Sequence, residues 1–453
     1  MEKQEKIIGY LPDENPTFLK LVLFAFQQII VMFPATVLVA ILTGFHVSTT
    51  IFASGLATLC FILITKRKIP LYYGSSFSYI AAICSITTTE AWTNGVASDS
   101  LIGQAQFGII MSGLVSIAAG LIVSRFSMKT IEKILPPTVT GPVAIIIGLS
   151  LAGAALNNVT NVPAGTTQHL SWVIALVTLL ATILFSVYLK KGTWGQIPIL
   201  MGLLSGYVVA LIVGWISGYK FVNFDNLSGQ SIFTLPHLTL PVPSWAAVVA
   251  IMPIAIATIP ESTAHLHQLD IYVNNLALEK KGEKSYKIAD LLGWNLIGDG
   301  IGDMVSGAIG GPAGTNYGEN ISTMSITKNF SVKVLMAAAI ITMFISFFTP
   351  LSATVYSIPG AVIGGISIYL FGVIGAQGVA IMIDKKVDLF DAKSLAIIAS
   401  ILIIGIGGSF AFAGGMIPIF GIKAPAIASA AIVGIVLNLI FVCIDKLIQV
   451  KNK

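Results

Sequence analysis

The stretch Gly311-Pro312-Ala313-Gly314-Thr315-Asn316-Tyr317-Gly318-Glu319-Asn320-Ile321-Ser322 decides how this chain is read. Its flanks are apolar enough to sit in lipid, yet it holds three glycines, a proline and a carboxylate. Gly-Pro-Ala-Gly at 311–314 would weaken a continuous helix. The pattern predicts a short extended segment followed by a half-helix that starts in mid-membrane. Backbone of that kind is tolerated at such depth where it lines a cavity or is buried in protein. Its free N–H groups and positive helix end then form a ligand site. A re-entrant packing element without a ligand is the competing reading.

Working outward, a second stretch has the same character. Tyr73-Gly74-Ser75-Ser76-Phe77-Ser78 resembles Tyr317-Gly318-Glu319-Asn320-Ile321-Ser322. Apolar runs of about 20 residues mark candidate spans. They fall near 19–42, 47–65, 71–88, 101–124, 137–156, 171–189, 195–217, 245–274, 288–308, 315–328, 334–349, 358–382, 394–411 and 424–444, which makes fourteen. The two irregular stretches are then spans 3 and 10, seven apart. Pro136, Val139 and Gly141 at the start of span 5 likewise match Pro359, Val362 and Gly364 at the start of span 12. Two repeats of seven spans each must enter the membrane with opposite orientation. The expected fold is an all-α polytopic membrane protein built from two inverted seven-span repeats, with extended segments and half-helices in spans 3 and 10.

Charge tests the count. Cytoplasmic loops are enriched in Lys and Arg. With the N-terminus inside and strict alternation, 23 of the 25 basic residues fall inside and only Lys220 and Lys423 outside. One missed span would reverse every later loop. Fourteen spans with both termini cytoplasmic is therefore the expectation, in the cell membrane and in contact with its lipid.

Composition agrees. Of 453 residues, 55% are hydrophobic and 10% charged, against about 25% charged in an ordinary soluble domain. That excludes a soluble enzyme. A net charge of +5 leaves no broad basic surface for nucleic acid. Cys60, Cys84 and Cys443 are scattered in apolar runs and suggest neither a disulfide framework nor a metal cluster. The first 18 residues mix acids and lysines with no apolar core, so no cleaved signal peptide is expected.

Most of the 20 acids lie in loops or at span ends. Glu261 and Glu319 do not, and a charge at the bilayer centre costs about 2.5–3.5 kcal/mol even on the lenient insertion scale. Glu261 follows Pro260 in mid-span 8. His265, four residues on, shares its helical face and is spaced to share a proton with it. A structural buried pair is the alternative. Glu319 opens the second half-helix beside Gly318, where the dipole favours a carboxylate and where a simple first-turn cap is the bland reading. Two carboxylates facing one cavity suit a ligand with N–H groups on its edge, such as a planar nucleobase. Phe77 would supply an aromatic wall, or ordinary packing. Asp299 and Asp303 of span 9 share one face and form either a buried network bracing the site or an outward-facing pair. His267 and Asp270 read as structural. His46, His169 and His237, in or beside outer loops, carry little weight.

Residues 317–328 resemble the signature of the nucleobase–ascorbate transporter (nucleobase:cation symporter-2) family, in its bacterial uracil-type branch. The pattern there is an acid or Gln, Asn, one residue, Gly, four residues, Thr. Here Glu319-Asn320 and Thr327 match, Ser322 replaces the Gly, and Lys328 keeps the basic residue of uracil-type members. Glu261 to His265 resembles the family's Glu-x3-His, Gly74 to Phe77 its span 3, and Ile358 to Gly375 its span 12. The similarity runs from about residue 20 to 410.

The resemblance implies a core domain of spans 1–4 and 8–11 (19–134 and 245–349) that holds substrate, and a gate domain of spans 5–7 and 12–14 (135–244 and 350–448) that often dimerises, after a cytoplasmic segment 1–18. It implies uracil binding by Glu261, Glu319, the backbone at Gly318, Phe77 and Tyr317, with Glu261 and His265 in proton coupling. Gln28, Ser76, Asn320 and Asp299 are expected in support. Gln27-Gln28 stands where the family has Gln-His, so one titratable group is lost. The implied activity is proton-coupled uptake of uracil or a related pyrimidine, with no cofactor and with sodium as an alternative coupling ion. A purine permease is the nearest alternative. An anion exchanger of the related sulfate-carrier architecture would need a cationic midplane site. A membrane enzyme would need a nucleophile or metal cluster beside Glu261 and His265.

Overall fold

The computed structural model describes residues 9–126, 130, 133–160, 162, 166–189, 197–224, 231–280, 285–419 and 421–451. Segment 1–8 and Lys129, Lys190, Lys191, Lys281, Lys284 and Lys453, all of which enter the charge count, lie outside them.

The apolar runs fold as helices. In order they are α1 (Phe18–Thr43), α2 (Val47–Ile64), α3 (Phe77–Thr87), α4 (Asp99–Val123), α5 (Pro137–Thr160), α6 (Gln168–Tyr188) and α7 (Pro198–Ser217). The second half holds α8 (Trp245–Glu279), α9 (Leu292–Ile309), α10 (Gly318–Thr327), α11 (Val332–Ile345), α12 (Thr349–Tyr356), α13 (Gly360–Asp384), α14 (Ala392–Ala411) and α15 (Ala426–Ile448). Among the described residues ten helices are long and apolar enough to cross a membrane. The other four expected spans correspond to α3, α9, α10 and α11. Three of these are short, and α9 carries Asp299 and Asp303. Length and composition by themselves therefore count ten crossings rather than fourteen. Large apolar side chains such as Leu180, Ile212, Trp215 and Ile216 point outward from α6 and α7, as in a protein whose solvent is lipid.

Both irregular stretches have the expected form. Strand β1 (Tyr73–Ser75) leads into α3, and strand β2 (Gly314–Asn316) leads into α10. The strands pair antiparallel, Tyr73 with Asn316, Gly74 with Thr315 and Ser75 with Gly314. Each satisfies the other's backbone groups where no water is at hand. Ten residues of α10 rise about 15 Å, half of a hydrocarbon core of about 30 Å.

The register of this repeat differs from the sequence match. Ser76 and Tyr317 occupy the same place, each preceding its helix, so Ser78 corresponds to Glu319. The shared Tyr-Gly identity is offset by three residues, because strand pairing rather than residue identity sets the correspondence. The second match holds: Pro136 and Pro359 each precede the first residue of their helix.

Two packing groups are visible. Helix α4 packs on α9, α2 on α9 and α11, and the start of α8 on α4. Separately, α5 packs on α13, α6 on α7 and α13, and α14 on α15 and α5. The α4–α9 crossing is close enough for backbone contact. A Cβ at Gly113 would meet the Gly300 carbonyl at 2.4 Å, and the reverse contact is also 2.4 Å. Small residues let membrane helices approach this way.

Three features depart from the all-helical reading. Helix α8 breaks at Met252-Pro253 between Trp245–Ile251 and Ile254–Glu279. A short helix, α12, follows α11. The connection before α15 is a hairpin of β3 (Met416–Ile419) and β4 (Ile422–Pro425). Its strands are four residues each, too short for a period-2 pattern to register.

Candidate functional site

Glu261 sits on α8 immediately after Pro260, which removes one helical N–H donor. Its Oε2 accepts from Ser78 Oγ at 3.1 Å, from the first turn of α3. Glu319 is the second residue of α10. Both side chains are half-buried. The two acids thus sit at the paired starts of the two half-helices, Glu319 directly and Glu261 through Ser78.

Phe77 lies beside Ser78 and packs edge-on against Phe371 of α13, with ring centroids 5.8 Å apart at 74°. This contact joins the two packing groups of helices. His265 lies one helical turn beyond Glu261 and presses on the start of α10. A Cβ at Gly318 would come within 2.9 Å of its Nε2. Nδ1 of His265 has no hydrogen-bond partner among the described residues, so that nitrogen makes no bond to Glu261. The ring packs against the start of α10.

Tyr317 is the residue before α10. It is buried, and its hydroxyl lies 2.9 Å from Thr36 Oγ1 and donates to the Ser75 carbonyl at 3.0 Å, which ties the start of α10 to α1 and β1.

The residues expected in support make the following contacts. Asn320 Nδ2 donates to Gln28 Oε1 at 2.8 Å and to the Gln28 carbonyl at 3.0 Å, tying α10 to α1. Ser76 N–H donates to the Ala313 carbonyl at 2.9 Å, closing the strand pair. Asp299 accepts from Ser262, and Asn316 Nδ2 lies 3.1 Å from Asn295 Oδ1 and 3.4 Å from Asp299 Oδ2. Asp303 accepts from the Tyr73 hydroxyl and from the Gly314 N–H at 2.8 Å. Asp299 and Asp303 are both buried, which resolves their two readings in favour of a network holding the strands.

Ser78, Ser262, Asn295, Asn316 and Phe371 were not singled out by sequence. Ser78 had a usable signal, since the three-residue offset aligns it with Glu319. The others are common residue types in ordinary helical positions.

A cleft of about 180 Å³ opens beside Glu319. Its walls are Ile30, Val31 and Pro34 of α1, residues 197–200 at the start of α7, and Ser322, Thr323 and Ile326 of α10. Glu319 is its one acidic wall residue; Glu261 and Phe77 lie outside its lining. The cleft is bounded by helices of both packing groups, so relative movement of the groups would change its width.

Comparison with known proteins accords with this arrangement. The chain is 37% identical over 433 residues to the uracil permease of Bacillus caldolyticus, covering 94% of this chain and 93% of that protein. It is 35% identical to the uracil permease of Bacillus subtilis (strain 168), with the same coverage of both chains. The uracil permease of Escherichia coli (strain K12) is 32% identical over 96% of this chain and 94% of that protein. Among solved structures, SLC26A9 superposes with a TM-score of 0.67 at 10% identity, over 94% of this chain and 65% of that one. The transmembrane domain of the cyanobacterial bicarbonate transporter BicA gives 0.58 at 16% identity, over 87% and 97%. These two likenesses are of fold. A family model described as "Permease family" (Xan_ur_permease) matches residues 19–414. With two paired half-helices, a polar centre and relatives matched nearly end to end, the chain belongs to this family of multi-pass membrane permeases.

Proposed function

We propose that the chain takes up uracil or a related pyrimidine nucleobase across the cell membrane, coupled to protons, by alternating access. The observation that carries this reading is the placement of Glu319 directly, and of Glu261 through Ser78, at the starts of two paired half-helices. Uracil presents ring N–H donors to carboxylates and carbonyls to backbone N–H groups such as that of Gly318. Its flat face suits the Phe77 ring. The uracil permeases among the relatives support the same substrate.

In this mechanism α1–α4 and α8–α11 are the core domain and α5–α7 and α13–α15 the gate, with fourteen crossings and both termini in the cytoplasm. The cleft beside Glu319 is then the cytoplasmic approach to the site. Uracil is neutral at pH 7, so the membrane potential acts on the coupling ion. One proton gains about 2.3 kcal/mol per 100 mV, roughly fifty-fold in accumulation. A proton on Glu261 removes a buried charge and lets the core move past the gate. His265 contributes by holding the start of α10 in place beneath the substrate. Dimerisation through the gate fits the exposed apolar faces of α6 and α7. The acidic centre disfavours an anion as cargo despite the likeness of fold to anion carriers.

The test is thermal stabilisation of the purified protein across a nucleobase panel, followed by uptake of labelled uracil into proteoliposomes. Uracil is expected to raise the melting temperature by mass action, and Glu261→Gln to abolish proton-driven uptake. Stabilisation by purines but not pyrimidines would assign a purine cargo instead. Uptake that survives Glu261→Gln and an uncoupler would overturn proton coupling.

A further inference from the structure

Three side chains far apart in sequence converge away from the substrate site. His46 lies in the turn between α1 and α2, Asp99 is the first residue of α4, and His237 lies in the connection between α7 and α8. His237 Nε2 is 2.9 Å from Asp99 Oδ2, and His46 Nε2 is 3.6 Å from Asp99 Oδ1. The two imidazole rings lie 4.4 Å apart between centroids. One ligand-type atom from each residue falls within 4.8 Å of the others.

We infer that His46, Asp99 and His237 form a binding site for a divalent transition metal of the zinc type, on the face of the protein opposite the Glu319 cleft. The chemistry fits. Two imidazoles and one carboxylate are a borderline-soft donor set suited to zinc, with a fourth position left to water. With neutral imidazoles the set carries one negative charge, which attracts a cation. Nε2 of His46 is buried without a hydrogen-bond partner, so a lone pair there has no competing donor. Bond lengths of about 2.0–2.2 Å in a tetrahedral arrangement set ligand atoms about 3.3–3.6 Å apart, and the two His–Asp99 separations of 3.6 and 2.9 Å lie near that range.

The backbone at the site is already fixed. Thr49 Oγ1 donates to the His237 carbonyl at 2.6 Å, Gln106 Nε2 donates to the Thr239 carbonyl at 2.9 Å, and the Val242 N–H donates to the Gly103 carbonyl at 2.8 Å. The connection that joins the two packing groups is thus laid against α2 and α4 before any metal arrives. A metal would cross-link it to the α1–α2 turn at its tip, a site of three elements rather than one loop.

The experiment uses full-length, tag-free protein in detergent, stripped with a chelator and titrated with Zn2+. One equivalent per chain is expected by elemental analysis, with a rise in melting temperature that Mg2+ does not reproduce. Co2+ in place of Zn2+ is expected to give the visible spectrum of a four- or five-coordinate nitrogen–oxygen site. His237→Gln and Asp99→Asn should each weaken zinc binding by about tenfold or more, while His169→Gln, in α6, should not. Stabilisation by nucleobase, measured on the same samples, establishes that each variant is folded. If either variant fails to fold, the other decides. Absence of stoichiometric binding at micromolar Zn2+ would overturn the inference. So would binding unchanged in a folded His237 or Asp99 variant, or a cobalt spectrum with thiolate character from Cys443.

Discussion

A methyl group at Gly74 would lie 2.4 Å from the ring of Tyr317. The strand of the first half-helix unit and the residue that opens the second are therefore packed to contact, with the Tyr317 hydroxyl anchored on Thr36 and Ser75. Gly74→Ala is expected to force the strand pair apart and destabilise the protein by roughly 1–3 kcal/mol. Melting temperature in a double-mutant cycle checks it. Gly74→Ala with Tyr317→Leu should cost less than the sum of the two single changes, and additivity would show that the contact is not felt.

Ser78 places a hydroxyl on Glu261. A hydrogen bond to a charged group contributes about 1.5–3 kcal/mol. Ser78→Ala should therefore lower the melting temperature of the unliganded protein and, with Glu261 no longer held, weaken uracil binding by about tenfold or more. Calorimetric titration separates the two effects.

Gly318 lies under His265, and an added Cβ would sit 2.9 Å from Nε2. Gly318→Ala is expected to push the imidazole aside or tilt α10, lowering uptake at least tenfold. The neighbour is the far end of a side chain, so folding should survive. In a His265→Ala background the same change should have little further effect on nucleobase affinity.

Tyr73 and Asp303 are both buried and bonded to one another. Tyr73→Phe removes a donor from a buried carboxylate that keeps the Gly314 N–H, an expected loss of about 1–3 kcal/mol of stability. Since the pair lies away from the cleft, uptake per folded molecule should be unchanged. A drop in uracil affinity of the folded fraction would place Asp303 in the binding site itself.

Proton coupling has a definite sign. Protons that move inward with the substrate make uptake rise as the outer medium becomes more acidic at constant internal pH. An uncoupler should remove that accumulation. Replacing sodium by potassium should leave it unchanged, and a sodium requirement would reassign the coupling ion.

Much of this was legible along the chain. Apolar runs located the helices, because transfer of each segment into lipid is a local free energy. Gly-Pro-Ala-Gly and the two Tyr-Gly stretches located the broken elements, because a glycine or proline disrupts a helix wherever it falls. Glu261 and Glu319 stood out for a related reason: a charged group in an apolar run is costly unless it has a use; Gln28 and Asn320 entered through the family resemblance. The contacts of the Tyr317 hydroxyl with Thr36 and Ser75 were not legible, since both partners lie far from it along the chain.

By itself, then, the sequence determined a helical membrane permease with two discontinuous elements and a pair of acids at its centre. Only the tertiary structure decided how those elements meet: the three-residue offset of the strand pair, the Ser78–Glu261 bond, the turning of His265 onto Gly318, and the gathering of His46, Asp99 and His237. The physical reason is range. Burial in lipid is decided residue by residue along one segment, whereas strand register and side-chain pairing are decided by packing between distant segments, such as Gln28 and Asn320, 292 residues apart, for which no local pattern exists.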